Sequence, residues 1–413
     1  MKLMADSVAD QMRKAMIAHQ RGELAGAEAA YHSILVHAPE HPDALHYLGM
    51  LRFQQEKEPE AIALLRRSLD IAPDNPHAWN NLGNVLFARG ERDDALLAYQ
   101  NAVAVAPNLT AGWHNLGILH RRSKRLDRAI ECFQKVLSVD PAAAGGKPGA
   151  DFRNALESLV NLLQRTRRMD ELAQTLTLWQ RSFPNDPVAQ HMVAAVTGRD
   201  VPPRASAEYV KELFDRFAES FDHTLKMLDY RAPQMLAEAL SAEPEYQRGQ
   251  ARVLDAGCGT GLCAPLLRST AGLLVGVDLS PAMQEKARAR DLYDELCVMD
   301  LCEFMRGRPA RFDVIIACDT LEYFGELHEF YAAAYISLSP GGLLLFTVEA
   351  MPPDHTTDDY LIQPHGRYCH RSGYVRQAAD IAGFVNLEIT EGALRREWGA
   401  EVPGLVIAAR RGR

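Results

Sequence analysis

The chain has 413 residues, about two to three times the usual length of one domain, so more than one hydrophobic core is expected. Hydrophobic residues at 47%, charged residues at 24% and a mean hydropathy of -0.20 exclude a disordered or a membrane-embedded protein. A net charge of -9, from 45 basic and 54 acidic residues, excludes a nucleic-acid-binding surface spread over the whole length. The opening MKLMADSVADQM has no apolar segment of signal-peptide length, and runs such as GLLLFTV at 342–348 are strand-sized. Seven cysteines, at 132, 258, 263, 297, 302, 318 and 369, include no C-x-x-C pair and suit free thiols. A cytoplasmic protein without a membrane span or a nucleic-acid partner is expected.

In chain order, the first signal is a repeat. AWNNLGNVLFARGERDDALLAYQNAVAVAP and GWHNLGILHRRSKRLDRAIECFQKVLSVDP align at a spacing of 34, pairing Trp79 with Trp113, Leu82 with Leu116, Gly83 with Gly117, Ala95 with Ala129, Tyr99 with Phe133 and Pro107 with Pro141. One step back lie Leu45, Leu48, Gly49, Ala61, Leu65 and Pro73, and a further step reaches Ala15, Ala27, Tyr31 and Pro39. Four repeats therefore cover 8–41, 42–75, 76–109 and 110–143. A degenerate fifth over 153–186 keeps Leu156, Leu159, Leu172, Leu176 and Pro184 behind a Gly-rich insertion, AAGGKPGAD.

These positions resemble the tetratricopeptide repeat, which implies paired antiparallel helices stacked into a right-handed, all-α solenoid over 8–186 with a concave groove for a protein or peptide partner. Asn81 and Asn115 precede the Leu-Gly pairs, where the resemblance places groove-side amides that hold an extended peptide; the alternative is that asparagine merely fills this position. The run Arg121, Arg122, Lys124 and Arg125 falls in a turn and reads as solvated.

The two prolines of VPPR predict that 187–203 is a linker. Helices follow, with Tyr209, Leu213, Phe217 and Phe221 at near-helical spacing. From Arg252 the pattern changes to short apolar strands alternating with helices: RVLDA, LLVGVDL, LCVMD, FDVIIACD, GGLLLFTVE, FVNLEIT and GLVIAARR. Such alternation predicts a parallel sheet covered on both faces, with ligands at the carboxyl ends of its strands.

VLDAGCGTG stands at such an end. Asp255 closes the first strand, and Gly257, Gly259 and Gly261 alternate through the turn into the next helix, where backbone amides can meet a ligand closely. A dinucleotide fingerprint requires a third glycine at 262, but Leu262 is there. The pattern D-x-G-x-G-x-G resembles motif I of the class I S-adenosylmethionine-dependent methyltransferases. Asp278 in VGVDLSPAM lies 23 residues beyond Asp255, and Asp300 lies in VMDL.

The resemblance covers 204–413 and implies a Rossmann-like α/β domain of seven strands, the last antiparallel. It implies S-adenosylmethionine as cofactor, its ribose on Asp278, its adenine beside Asp300, and further contacts from Asp255, Gly257, Gly259, Gly261, Leu279, Met299, Leu301, Asp319 and Phe221. DRFAESFD, with Phe217, Phe221 and Asp222, matches the lid helix of such enzymes. The whole chain resembles bacterial methyltransferases that carry tetratricopeptide repeats.

Methyl transfer needs positioning and, for some acceptors, a base. The fourth strand ends in Asp319, Thr320, Leu321, Glu322 and Tyr323, which is not the N-P-P-Y pattern of enzymes that methylate adenine or glutamine amino groups, and Cys318 reads as a buried thiol. The candidate proton acceptors are His370, His365 and Glu322; the candidate acceptor-binding residues are Tyr323, Arg367, Tyr368 and Arg395, with Arg395 either holding an acidic acceptor or pairing with Glu397. His355, His365, Cys369 and His370 follow no zinc spacing, so no metal is expected. The expected function is methyl transfer to an acceptor that is either a macromolecule recruited by the repeats or a small molecule; the alternative is a repeat adaptor that binds the cofactor without catalysis.

Overall fold

The computed structural model describes residues 2–140, 146–246, 249–353, 355, 358–397 and 399–413; Pro141 and Asp354 lie outside them. The chain divides into two units, Met1–Ser182 and Phe183–Arg413.

The first unit is helical throughout its described elements. Its five antiparallel pairs are α1 (Lys2–Gln20) with α2 (Leu24–His37), α3 (Pro42–Gln54) with α4 (Glu58–Ile71), α5 (Pro76–Ala88) with α6 (Arg92–Val105), α7 (Thr110–Arg122) with α8 (Leu126–Val139), and α9 (Ala150–Arg165) with α10 (Met169–Ser182). The repeat positions explain the pairing. Pro39, Pro73 and Pro107 follow the second helix of a pair by two residues, and the next helix opens with its own proline or threonine. Trp79 and Trp113 donate from Nε1 to the carbonyls of Pro73 and Pro107 at 2.8 and 2.9 Å, tying each pair to the turn before it. Gly83 leaves room for Tyr99, whose ring would stand 2.5 Å from any Cβ at 83. Ala95 and Ala129 are fully buried at the crossings.

The second unit starts with α11 (Pro187–Thr197), α12 (Ala207–Phe217), α13 (Phe221–Met227) and α14 (Ala232–Ser241). The predicted linker is thus corrected: prolines 202 and 203 bound a stretch of a few residues, and before it Asp186 accepts from the amides of Val188 and Ala189 to cap a real helix. The sheet follows as β1 (Ala251–Ala256), α15 (Ala264–Leu267), β2 (Ala271–Asp278), α16 (Pro281–Ala289), β3 (Glu295–Val298), α17 (Leu301–Arg306), β4 (Phe312–Ala317), α18 (His328–Ser337) and β5 (Leu338–Ala350). Then come β6 (Tyr360–Ile362), β7 (Tyr368–His370), α19 (Ser372–Ile381), β8 (Phe384–Glu397) and β9 (Ala400–Arg411).

Strands β3-β2-β1-β4-β5 are parallel in that order. β9 runs antiparallel to β5 and β8, as expected for the last strand. Among the described residues the seven expected strands are joined by two more, because a β6-β7 hairpin adds itself to the last two residues of β5, Glu349 and Ala350. Alternate strand residues supply two cores: Leu254, Val275, Val277, Ile315 and Phe346 face α17, α18 and α19, while Val253, Leu274, Val314, Ile316 and Leu345 face α14 and α15. The carboxyl ends of β1, β2, β4 and β5 are left to build a site. No described helix is long and apolar enough to cross a membrane.

Candidate functional site: a glycine turn beside a buried ion network

The turn after β1 is left-handed at all three motif glycines, with φ of 81° at Gly257, 53° at Gly259 and 83° at Gly261. A Cβ at Gly257 would stand 2.3 Å from Thr320 Oγ1, the hydroxyl that donates to Ala256 O at 3.1 Å and locks the turn to the end of β4. Gly259 is different: its nearest neighbour is the ring of Phe221 at 3.9 Å. Its amide donates to Asp278 Oδ2 at 2.9 Å, and Ser280 N donates to Asp278 Oδ1 at 2.8 Å, so this carboxylate organises both the glycine turn and the start of α16.

Asp255 lies beneath. Tyr293 donates to its Oδ2 at 2.6 Å, while Oδ1 is buried without any hydrogen-bond partner. Burial raises its carboxyl to about 7, against a lowering contribution from the Tyr293 hydroxyl and a raising one from Asp278. A buried acceptor without a donor, under a glycine cradle and beside a second carboxylate, fits a ligand that brings N–H or O–H groups. An elevated folded-state value means stability present in acid and lost as pH rises through about 7. Asp255→Asn is therefore expected to stabilise the ligand-free protein at pH 8 by on the order of 2 kcal/mol, with the gain vanishing near pH 4. Thermal melting at the two pH values checks it; equal shifts at both would refute the assignment.

The segment expected to form a lid packs beside the turn. Phe221 meets Phe217 and Phe214 edge-on, at 5.2 and 6.2 Å between centroids. Two carboxylates clasp it to the turns below: Asp222 takes the Thr260 hydroxyl at 2.5 Å and pairs with Arg290, and Asp215 takes the Ser280 hydroxyl at 2.6 Å. Asp215, Arg290 and Tyr293 carry no motif signal in the sequence; Ser280 does, as the residue before a helix-opening proline.

Asp300, the expected adenine-side residue, also has structural partners. One oxygen caps α17, accepting from Cys302 and Glu303 amides at 3.0 Å each, and the other pairs with Arg204, whose guanidinium also covers the Phe324 ring at 4.3 Å. Burial alone would raise its carboxyl, and these hydrogen bonds hold it below the ordinary value instead. Met299 donates its amide to Asp278 O at 3.0 Å, Leu279 is half-buried beside Asp278, and Leu301 is buried at the head of α17.

Past the end of β4 lies a network that sequence reading only glimpsed. Arg395, 3% exposed, donates to Asp319 Oδ2, Glu322 Oε1 and Glu397 Oε1 at 2.7 Å each and also pairs with Glu349. Arg367 reaches Glu349 and Glu397 at 2.7 Å and Glu322 at 3.5 Å. Arg395 thus spends its whole fork on carboxylates, Glu397 among them, which is the pairing alternative, while Arg367 is shared among three of them through Nε and Nη2: four carboxylates surround two cations. Asp319, at φ 48°, is further fixed by Thr347, whose hydroxyl donates to Oδ1 at 3.0 Å. Burial raises the carboxyls of Asp319 and, further, Glu322.

The histidines divide. His370 is fully buried in the hairpin, with Nε2 against Gly325 O at 3.1 Å and burial lowering it to about 4, so it is a core residue and not a reachable base. His365 is partly exposed at the edge of the network, its Nε2 3.8 Å from Glu349 Oε2; burial and then Arg367 lower it to about 4. Tyr368 is also corrected from acceptor binding to structure: it is fully buried and donates to Pro202 O at 2.7 Å. Tyr323 is half-buried, edge-on to Phe214 at 5.3 Å. Cys318 is a buried thiol 3.2 Å from the Tyr230 hydroxyl. Among the described residues no three His, Cys, Asp or Glu side chains gather as a metal site.

In the repeat unit, Asn81 Nδ2 meets His46 Nε2 at 2.8 Å, and Asn115 Nδ2 donates to both Asn80 Oδ1 and Asn84 Oδ1 at 3.0 Å. Their amide donors thus bridge neighbouring repeats, which supports the filler alternative over a free peptide clamp. Asn81→Ala with Asn115→Ala is expected to lower the melting point of the repeat unit by an amount equivalent to about 1 kcal/mol per lost hydrogen bond. Ligand binding at the glycine turn should stay unchanged; weaker binding there would show that the two units do not act separately.

The strand order, the glycine turn and the carboxylates below it define a Rossmann-like α/β domain preceded by helical repeats. Residues 254–346 match the methyltransferase domain family, and residues 12–76 and 74–142 match tetratricopeptide repeat families. The chain joins tetratricopeptide repeats to a methyltransferase domain. It is 34% identical over 143 residues to human methyltransferase-like protein 27, covering 32% of this chain and 55% of that one. It is 32% identical over 154 residues to a Geobacillus sp. protein named as a methyltransferase, covering 35% and 62%. It is 28% identical over 171 residues to the carboxy-S-adenosyl-L-methionine synthase of Wolinella succinogenes, covering 40% and 71%. The chain thus spans between about half and two thirds of the length of the first two relatives.

Proposed function

We propose that the protein is an S-adenosylmethionine-dependent methyltransferase. The observation that carries the reading is the glycine turn, held by Asp278 through the Gly259 and Ser280 amides above the unpartnered Asp255 Oδ1 and beneath Phe221. The Gly259 face of the turn and Asp278 would hold the nucleoside, and Asp255 would take a donor at the base. When bound, S-adenosylmethionine supplies an electrophilic sulfonium methyl.

The chain's own residues orient and dry the site. Phe214, Phe217 and Phe221 exclude water from the turn, and the Asp215 and Asp222 clasps keep them there. Asp319 and Glu322 stand at the carboxyl end of β4, immobilised by Arg395. Because four carboxylates share two guanidiniums and Arg395 is fully engaged, the network already carries an excess of negative charge that disfavours a carboxylate acceptor, so the proposal is for an uncharged or amino acceptor. A proton leaving such an acceptor has His365 at the partly exposed edge of the network, and Glu322 within it.

The repeats bind a protein or peptide, in a cytoplasmic setting that suits the seven unpaired cysteines. Calorimetry with S-adenosylmethionine and with NAD tests the cofactor: tighter binding of NAD, or no binding of the former, sinks the proposal. Transfer of labelled methyl from S-adenosylmethionine into a cell lysate tests the chemistry; cofactor binding with no transfer would support the adaptor alternative.

A further inference from the structure

We propose that α11 and the strap that follows it form a wall of the acceptor pocket, with His191 as the residue that positions the acceptor loop; the proposal rests on the methyltransferase reading above. His191 is 5% exposed on α11, and its Nε2 lies 2.8 Å from Gly366 O. Its ring stacks on Tyr209 of α12, with centroids 4.0 Å apart and planes 24° apart, and meets Tyr368 edge-on at 6.2 Å.

The segment held in this way is a tight turn. Gln363 N donates to Arg367 O and Gly366 N to Gln363 O, both at 2.8 Å, so the turn presents His365 and Arg367 at the ends of β5 and β7. Gly366 has φ 88°, and a Cβ there would meet Tyr209 Oη at 3.0 Å, Met192 Sδ at 3.1 Å and His191 Cδ2 at 3.4 Å. The turn is pressed against α11 and α12 at its tightest point, and His191 ties it to α11 by a hydrogen bond. Burial lowers the basicity of the ring, so the neutral form with its proton on Nε2 is the donor.

Beyond α11, the chain keeps to the same side. Pro202 O accepts from the Tyr368 hydroxyl, Pro203 O from the amides of Gly325 and Glu326 at 2.9 and 2.8 Å, and Ala205 N donates to Tyr323 O at 2.9 Å. Together α11 and the strap therefore grip both loops that border the ion network: the strap holds the one after β4, with Glu322 and Tyr323, and His191 the one before β7, with His365 and Arg367. A fold that needed only a connection between repeats and sheet would leave these bonds unmade. Here they fix the two loops whose side chains face the acceptor, while the contacts of α11 go to Gly366, Tyr209 and Tyr368 and not to the glycine turn. The wall thus bears mainly on the acceptor side, meeting the cofactor side where Arg204 of the strap pairs with Asp300.

The test uses the full chain with His191→Ala, His191→Phe and His191→Gln. Phenylalanine keeps the stacking on Tyr209 without the donor, and glutamine restores an N–H. Calorimetry with S-adenosylmethionine is expected to give dissociation constants within about twofold of wild type for all three variants, as no lost contact reaches the cofactor turn. In labelled-methyl transfer to serially diluted lysate, the half-saturating lysate concentration is expected to rise about tenfold for the alanine and phenylalanine variants, the worth of one buried hydrogen bond, and to recover for glutamine. Amide exchange of residues 363–367 should quicken in the first two and not in the third. Wild-type exchange in His191→Phe overturns the proposal whether or not transfer is detected, and so does an unchanged half-saturating concentration. Cofactor affinity that falls in step with transfer also overturns it, because the effect is then general. Absence of cofactor binding by wild type overturns instead the methyltransferase reading.

Discussion

Asp278→Ala is expected to abolish S-adenosylmethionine binding, a loss of about 10² to 10⁴ in affinity. The carboxylate accepts from the amides of Gly259 and Ser280, one on each side of the proposed nucleoside pocket. Hydrogen bonds to a charged group contribute roughly 1.5 to 3 kcal/mol each, so two together amount to about 3 to 6 kcal/mol, and each 1.4 kcal/mol is about a factor of ten. Alanine also leaves two amides unpaired in a half-buried turn whose glycines already sit at positive φ. Asp278→Asn, which sets an NH₂ group against one of those donors, should weaken binding by at least about tenfold. Calorimetry decides; an alanine variant binding within about threefold of wild type would rule out this carboxylate as the organiser of the site.

The largest stability effect is expected at Arg395. Methionine there keeps the length of the stem and removes the cation, leaving Asp319, Glu322, Glu349 and Glu397 facing one another with only Arg367 to balance them. Breaking a buried ion network by removing one partner costs about 3 to 5 kcal/mol. For a unit of this size that lowers the melting temperature by roughly 6 to 20 °C. The pH dependence has a definite sign. Burial raises the carboxyls of Asp319 and Glu322 above their ordinary values, and removal of Arg395, which lowers both, raises them further. Stability of Arg395→Met should therefore be greatest in acid, below about pH 4, and fall as the pH rises through the elevated values. Arg395→Lys retains a charge but not the planar fork and should lose less. Melting followed by calorimetry between pH 4 and 8 checks this, and a variant whose deficit shrinks with rising pH would contradict it.

The repeats were legible because their signal is periodic and local. Trp79, Gly83, Ala95, Tyr99 and Pro107 each act within a helix pair or its adjoining turn, so a fixed spacing of 34 is enough to find them. The glycine turn was legible for the same reason: its φ angles are demanded by the backbone within a few residues of Asp255. The acceptor side was not. His370 stands in sequence where a base could stand, but the unpredicted β6-β7 hairpin buries it. The two prolines at 202 and 203 hid the helix just before them, whose cap is Asp186 and whose partner, Gly366, is 175 residues away.

By itself, then, the amino-acid sequence determined the order of repeat and α/β units, the strand alternation and the carboxylates around the glycine turn, all through patterns that recur within one repeat or one strand-turn-helix unit. Only the tertiary structure decided what Arg395, Arg367 and His191 do. Their partners lie on strands and loops brought together by the parallel crossovers, and no local periodicity or propensity records which charges meet across the ends of a sheet.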